Sequence, residues 1–169
     1  MRVVAGIYGG RTLKAPRGQG VRPTADRVRE ALFSILGPLD GARVLDLFAG
    51  TGALGIEALS RGAASCVFVD VDTRPVRANL EVLGIDAEVR RGQALSALKP
   101  DDQYDLVLLD PPYRDAARLG AQLTEALPPV LDPSARVVTE SDRRHPLALG
   151  LPLHDERRYG DTLIRIHTA

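Results

Sequence analysis

The chain has 169 residues, 44% of them hydrophobic and 26% charged, with 22 basic side chains matched by 22 acidic ones. That size and balance suit one globular domain with a single core and exclude a disordered chain of high net charge. Cys66 is the sole cysteine, which excludes an intrachain disulfide. No apolar run approaches the roughly 18 residues of a membrane span, and the N-terminus lacks the apolar stretch of a signal peptide. A cytoplasmic protein is expected.

The neutral total hides an asymmetry. Residues 1–30 carry Arg2, Arg11, Lys14, Arg17, Arg22, Arg27 and Arg29 against Asp26 and Glu30, a net +5 balanced by −5 over the remaining 139 residues. A basic arm on a mildly acidic body points to a polyanion met at one end, with a solvated charged surface as the plainer alternative.

In chain order, residues 2–5 and 11–15 predict two short strands with Tyr8-Gly9-Gly10 as their turn. Residues 16–23, rich in Gly and Pro and carrying two arginines, predict a loop. Thr24 has the chemistry of a helix N-cap, and Asp26 suits the first turn. Val28, Ala31, Leu32, Ile35 and Leu36 then form one apolar helical face, ended by Gly37-Pro38. From residue 43 strands and helices alternate. Strands are expected over 43–47, 65–70, 87–90, up to 109 and 136–140, with helices over 52–61, 73–83, around 94–98 and 116–127. This alternation predicts a mostly parallel sheet covered by helices on both faces. Residues 153–159 and 162–167 flank Gly160-Asp161 as an antiparallel hairpin at the sheet edge. Residues 1–37 thus read as a basic extension of hairpin, loop and helix, and residues 38–169 as the main α/β domain.

Chemistry concentrates at Asp110-Pro111-Pro112-Tyr113. The run from Tyr104 to Leu109 is almost wholly apolar, as in a strand buried on both faces, and the prolines stop it because neither can donate a ladder hydrogen bond. A carboxylate, a rigid turn and an aromatic ring then stand where open α/β sheets bind ligands. The exocyclic amine of a nucleobase is a poor nucleophile, since its lone pair is delocalised into the ring. Asp110 and the Pro111 carbonyl can each accept one of its N–H groups, and Tyr113 can stack on the base. The motif resembles the signature of amino-methyltransferases, which use S-adenosylmethionine. A plain proline turn, with Tyr113 as a packing residue, is the alternative.

The first strand of the domain runs into Asp46-Leu47-Phe48-Ala49-Gly50-Thr51-Gly52, where glycines let the backbone turn tightly against a ligand. Asp70, closing the second strand, is placed to accept the ribose hydroxyls of a nucleoside. Gln93, after the third, is a candidate for the adenine edge or simply a helix-start residue. The stretch from Gly50 to Gly55 also matches G-x-G-x-x-G, with Asp70 twenty residues beyond Gly50, so an NAD enzyme is a rival reading. Asp46, just ahead of the loop, argues against it. A pyrophosphate wants a helix N-terminus free of negative charge, whereas S-adenosylmethionine brings an ammonium and a sulfonium. The spacing of Asp46, Phe48, Gly50 and Gly52 resembles a methyltransferase cofactor motif.

Residues 22–33 (Arg22-Pro23-Thr24 onward), 46–52 and 110–113 together resemble the bacterial 16S rRNA guanine-N2 methyltransferases. The likeness extends to Arg2-Val3-Val4-Ala5-Gly6 and Tyr159-Gly160-Asp161-Thr162. It implies a Rossmann-like class I methyltransferase fold, with a mostly parallel seven-stranded sheet and a C-terminal antiparallel hairpin. It also implies S-adenosylmethionine as cofactor, and methylation of the N2 amine of one guanine in 16S rRNA of an assembling small subunit. Arg22 and Thr24 would fold over the methionine end of the cofactor, with an RNA phosphate as the alternative partner of Arg22. The chain has no segment to spare for the target-recognition region of DNA methyltransferases. RNA binding therefore falls to Arg2, Arg11, Lys14, Arg17 and Arg22, and the guanine must be splayed from its stack. A DNA or other amino-methyltransferase and a non-catalytic RNA-binding assembly factor are the competing readings. His145, His154 and His167 lack metal-ligand spacing, so no metal is expected. Cys66 reads as core, and a monomer without membrane contact is anticipated.

Overall fold

In the computed structural model, residues 1–15, 23–112 and 116–169 are described, apart from the side chains of residues 23–25 and 117. Seven strands form one sheet: β1 Arg43–Leu47, β2 Ser65–Asp70, β3 Val89–Arg91, β4 Tyr104–Leu109, β5 Leu131–Asp142, β6 Leu153–Tyr159 and β7 Thr162–Thr168. Their order is β3-β2-β1-β4-β5-β7-β6, parallel through β5 and antiparallel beyond it. β1 and β4 lie at the centre and are almost wholly buried, as a strand covered on both faces must be. The predicted C-terminal hairpin forms across Gly160-Asp161, but β7 sits inside the sheet and the charged β6 is the edge, the usual protection of an exposed ladder.

Helices α1 Pro23–Leu36, α2 Ala53–Ser60 and α3 Arg74–Leu83 cover one face, and α4 Ala116–Ala126 the other. The α2 helix lies so close to β2 that a Cβ on Gly55 would stand 2.4 Å from the Phe68 ring and 2.6 Å from the Cys66 sulfur. Cys66 is buried there, as expected of a core residue. No helix among the described residues is long and apolar enough to cross a membrane.

Three local expectations need correction. β5 begins at Leu131, not Arg136, because Tyr104 pairs with Leu131 before a register shift brings Leu106 opposite Arg136. Pro133 falls in that irregular stretch, where a missing N–H costs no ladder bond. α1 starts at Pro23, which suits a first turn, so Thr24 lies inside the helix and not ahead of it. The buried face of α1 is also rotated: Val28, Arg29, Leu32, Phe33 and Leu36 are buried while Ile35 is exposed. Phe33 packs inward beneath the Arg61 guanidinium, 5.2 Å from the ring centre.

The N-terminal hairpin departs furthest. In place of two strands the structure holds a single antiparallel bridge, Arg2 to Thr12. The two arms still share bonds, Val3 to the Arg11 carbonyl at 2.9 Å and Leu13 to the Met1 carbonyl at 3.0 Å, while other amides turn to α2: those of Val4 and Ala5 bond the Glu57 carboxylate at 2.7 and 3.0 Å. Ile7 donates to the Ser60 carbonyl at 2.8 Å, and Tyr8 to the Ser60 hydroxyl at 3.0 Å. The approach is close enough to demand glycine: a Cβ on Gly6, at φ +81°, would lie 1.7 Å from the Ser60 carbonyl oxygen. Further along, the Asn79 side chain accepts the Lys14 amide at 2.8 Å and donates to the carbonyls of Lys14 and Thr51 at 3.0 and 2.9 Å. Residues 1–15 are thereby tied to α2, α3 and the glycine-rich loop, and Val3 and Leu13 join the core beneath α1.

Candidate active site

Sheet register decides which side chains meet. Asp46 of β1 is paired with Leu108 of β4, and Leu108 with Val138 of β5. Side chains alternate along a strand, so Asp110 and Glu140, each two residues further on, share a face with Asp46. All three carboxylates stand at the carboxyl ends of adjacent strands, below α1. With Arg29 and Phe48 they line a cavity of about 200 Å³. A larger cavity of about 560 Å³ extends along the ends of β1 to β3. Its walls include Val69, Val71 and Leu119, with Asp70 and Gln93 at one end and Asp110 and Pro111 at the other. Phe48, Gly50 and Asp110 line both cavities, which therefore adjoin there as the long and short arms of a cleft, with Asp110 at the elbow between them.

The backbone that makes the elbow is strained. Phe48 has φ +66° and is the one non-glycine residue with positive φ among those described, a conformation that costs of order 1–3 kcal/mol. It is held by the glycine loop behind it: Ala49 donates to the Val69 carbonyl at 3.0 Å, and Gly52 to the Ala49 carbonyl at 2.7 Å. Asp70 braces the same loop, accepting the Gly50 amide at 2.8 Å and the Asp72 amide at 2.9 Å. Each carboxylate oxygen retains a second lone pair for a ligand hydroxyl.

Asp46 is buried, and its Oδ2 accepts the Gly55 amide at 2.9 Å. Burial pushes its carboxyl up to about 7, with the nearby Asp70 charge adding to the rise and the Gly55 N–H opposing it. The folded protein therefore holds this proton more tightly than the unfolded chain between roughly pH 4 and 7. Stability must fall as pH rises through that window and stay lower above it. Asp46→Asn keeps an acceptor for Gly55 and removes the buried charge. We expect the variant to be the more stable protein at pH 8, by on the order of a few kcal/mol, and the difference to vanish near pH 4. Urea unfolding at the two pH values measures this directly.

Asp110 opens onto the cleft yet is packed round by protein, so cleft water screens part of the charge crowding there. Its carboxyl lies well above the ordinary range, chiefly through desolvation and further through the charges of Glu140 and Asp46. Burial also raises Glu140, while Arg29 pulls it back down. Arg29 is buried on α1: Nη2 donates to the Arg2 carbonyl and to Asp26 at 2.9 Å, and Nε lies 3.5 Å from Glu57 with no hydrogen-bond partner. One buried cation thus faces a cluster of carboxylates, the arrangement expected when charges must be held out of water.

Of the residues singled out from sequence, Asp46, Phe48, Gly50, Asp70, Gln93, Asp110, Pro111 and Pro112 line the cleft, while Gly52 packs behind the loop against Val76 of α3. Arg2, Arg11 and Lys14 are exposed on the N-terminal segment. Arg17, Arg22 and Tyr113, and the side chain of Thr24, lie outside the described residues. His167 is buried in β7 with Nδ1 3.1 Å from the Leu151 carbonyl, and no cluster of metal-ligating side chains occurs among the described residues. Sequence reasoning passed over Arg29, Glu57, Asn79 and Glu140. Glu140 carries the one signal that could have found it: it closes the strand expected over 136–140, as Asp110 follows the strand ending at Leu109, and ligands gather at such ends.

The family model described as Conserved hypothetical protein 95 matches residues 1–168. The chain belongs to this family. Its relatives include the Haemophilus influenzae protein named Ribosomal RNA small subunit methyltransferase D, 38% identical over 159 residues that cover 87% of this chain and 81% of that one. The Bacillus subtilis protein YlbH, assigned by name to the rRNA methyltransferases, is 47% identical over 134 residues, 73% of this chain and 72% of its own. Among solved structures, Escherichia coli yhhF superimposes with a TM-score of 0.84 and 34% identity, covering 99% of this chain and 97% of that one.

Proposed function

We propose that the protein transfers the methyl group of S-adenosylmethionine to the N2 amine of a guanine in 16S rRNA of the small ribosomal subunit. The observation that carries this reading is Asp110 at the elbow of the cleft, with the Pro111 carbonyl beside it. The long arm suits a nucleoside, with apolar walls for a base and Asp70 for ribose hydroxyls. The short arm holds Asp46 and Arg29, an anion and a cation suited to the two ends of an amino acid. When bound, the cofactor supplies an electrophilic methyl on a sulfonium. Asp110 and the Pro111 carbonyl orient the amine and stabilise the positive charge that grows on nitrogen, and Tyr113 stacks on the base. Positioning of this kind supplies much of the rate. Arg2, Arg11 and Lys14, with Arg17 and Arg22, form the basic arm that meets RNA phosphates, so residues 1–37 act as the RNA-binding part and residues 38–169 as the catalytic part. The names of the relatives support the rRNA substrate.

The test is methyl transfer from labelled S-adenosylmethionine to unmodified small subunits, naked 16S rRNA and duplex DNA, followed by nucleoside analysis. N2-methylguanosine from a ribosomal substrate is the expected product. Label on adenine or cytosine would replace the substrate class, and cofactor binding without transfer would favour a binding factor.

A further inference from the structure

We propose that Glu140 selects guanine, accepting its N1–H while Asp110 takes the adjacent N2–H; the inference rests on Asp110 as the amine-binding carboxylate. Leu109 pairs with Thr139, so Asp110 and Glu140 follow as the next register position of two adjacent parallel strands, on one face. Parallel neighbours lie about 4.8 Å apart, which brings both acids to one cavity, where each can take one donor of a ring edge. The long arm of the cleft runs from Asp110 toward β2 and β3, on the opposite side of β4 from β5. Asp46 and Arg29, suited to the amino-acid end of the cofactor, enter the short arm from β1 and α1, whereas Glu140 enters it from β5, so a base that reaches Asp110 from the β5 side meets Glu140.

The chemistry of the edge then decides the base. Guanine presents N1–H beside its N2 amine, a run of donors with no acceptor between them. Adenine presents N6–H beside N1, a lone pair. A carboxylate next to Asp110 pairs with the first and repels the second. Arg29 faces this acid from α1 and favours its ionised form; Asp46 and Asp110 are the other charged side chains lining that cavity among the described residues, and Met1, which bears the α-amino group, lines it too.

The test uses small subunits reconstituted with 16S rRNA that carries either guanine or 2,6-diaminopurine at the modified position, introduced by splinted ligation. Both bases have the N2 amine, but the N1 of diaminopurine is a lone pair. The wild-type protein should favour guanine in kcat/KM by about 10- to 100-fold, the discrimination of one well-placed hydrogen-bond pair. Glu140→Gln can accept from one base or donate to the other, so it should bring the ratio to within about threefold. Glu140→Asp keeps the charge on a shorter stem; it should lower the rate yet preserve the preference, which covers the case in which the amide variant fails to fold. A folded Glu140→Gln protein with an unchanged ratio overturns the proposal. So does a rise confined to the KM for S-adenosylmethionine, which would make Glu140 a cofactor ligand. Absence of N2-methylguanosine with the wild-type protein removes the reaction itself, and the inference with it.

Discussion

Asp110→Ala is expected to lower turnover by about 10²–10³-fold, the usual effect of removing one group that stabilises transition-state charge. Binding of S-adenosylmethionine should change little, because the long arm of the cleft is formed mostly by β1 to β3 and their loops. Thermal stability should hold or rise, since the substitution takes one carboxylate out of a cluster that already contains Asp46 and Glu140. Asp110→Asn keeps an oxygen that can accept N–H and should retain measurable activity, as a residue that orients the amine requires. Loss as complete as in the alanine variant would instead make the carboxylate a proton acceptor. The acid limb of the wild-type rate profile should lie above the usual carboxylate range near pH 4 and flatten in Asp110→Asn. Single-turnover rates beside equilibrium cofactor binding measure both effects.

Glu57→Ala should be the most damaging substitution outside the cleft. Glu57 is wholly buried, yet its carboxylate accepts the amides of Val4 and Ala5, bonds Arg61 at 2.7 Å and lies 3.5 Å from Arg29. Its removal takes one of two carboxylate partners from buried Arg29 and leaves the Val4 and Ala5 amides without their acceptor, a loss of about 3–5 kcal/mol. For a chain of this length that corresponds to a fall of roughly 10 °C or more in Tm. Glutamine should rescue little, because its NH2 would face donors. Hydrogen exchange at Val4 and Ala5 should become fast, and the short arm of the cleft should loosen, since Arg29 is fixed by both Glu57 and the Arg2 carbonyl. A Tm shift below about 2 °C would mean that the N-terminal segment is held by its apolar contacts and its bonds to Ser60 and Asn79, without need of Glu57.

Much of this molecule was legible from local pattern. β1 and β2 fall where apolar runs predict them, the helices after them end at Gly62 and Gly84, and the glycine loop and the Asp110 motif stand at strand ends. Such features depend on side-chain period and turn chemistry, both carried by a few neighbouring residues. That Asp46, Gly50, Asp70 and Asp110 would line a cleft was legible for the same reason, since open sheets place ligands at these ends.

What the sequence by itself determined was the succession of strands and helices and the presence of one acid at the end of β4. Only the tertiary structure decided its company. Glu140 joins Asp110 because β5 pairs beside β4 in a given register, a relation between residues thirty positions apart. Arg29 turns inward because α1 packs against a face that holds carboxylates, so the buried stripe follows charge as well as hydrophobicity. The N-terminal hairpin is shortened to one bridge, and its Val4 and Ala5 amides are met by Glu57, more than fifty residues away. Local periodicity sets which segments are regular; long-range pairing of buried polar groups sets which of them form the site.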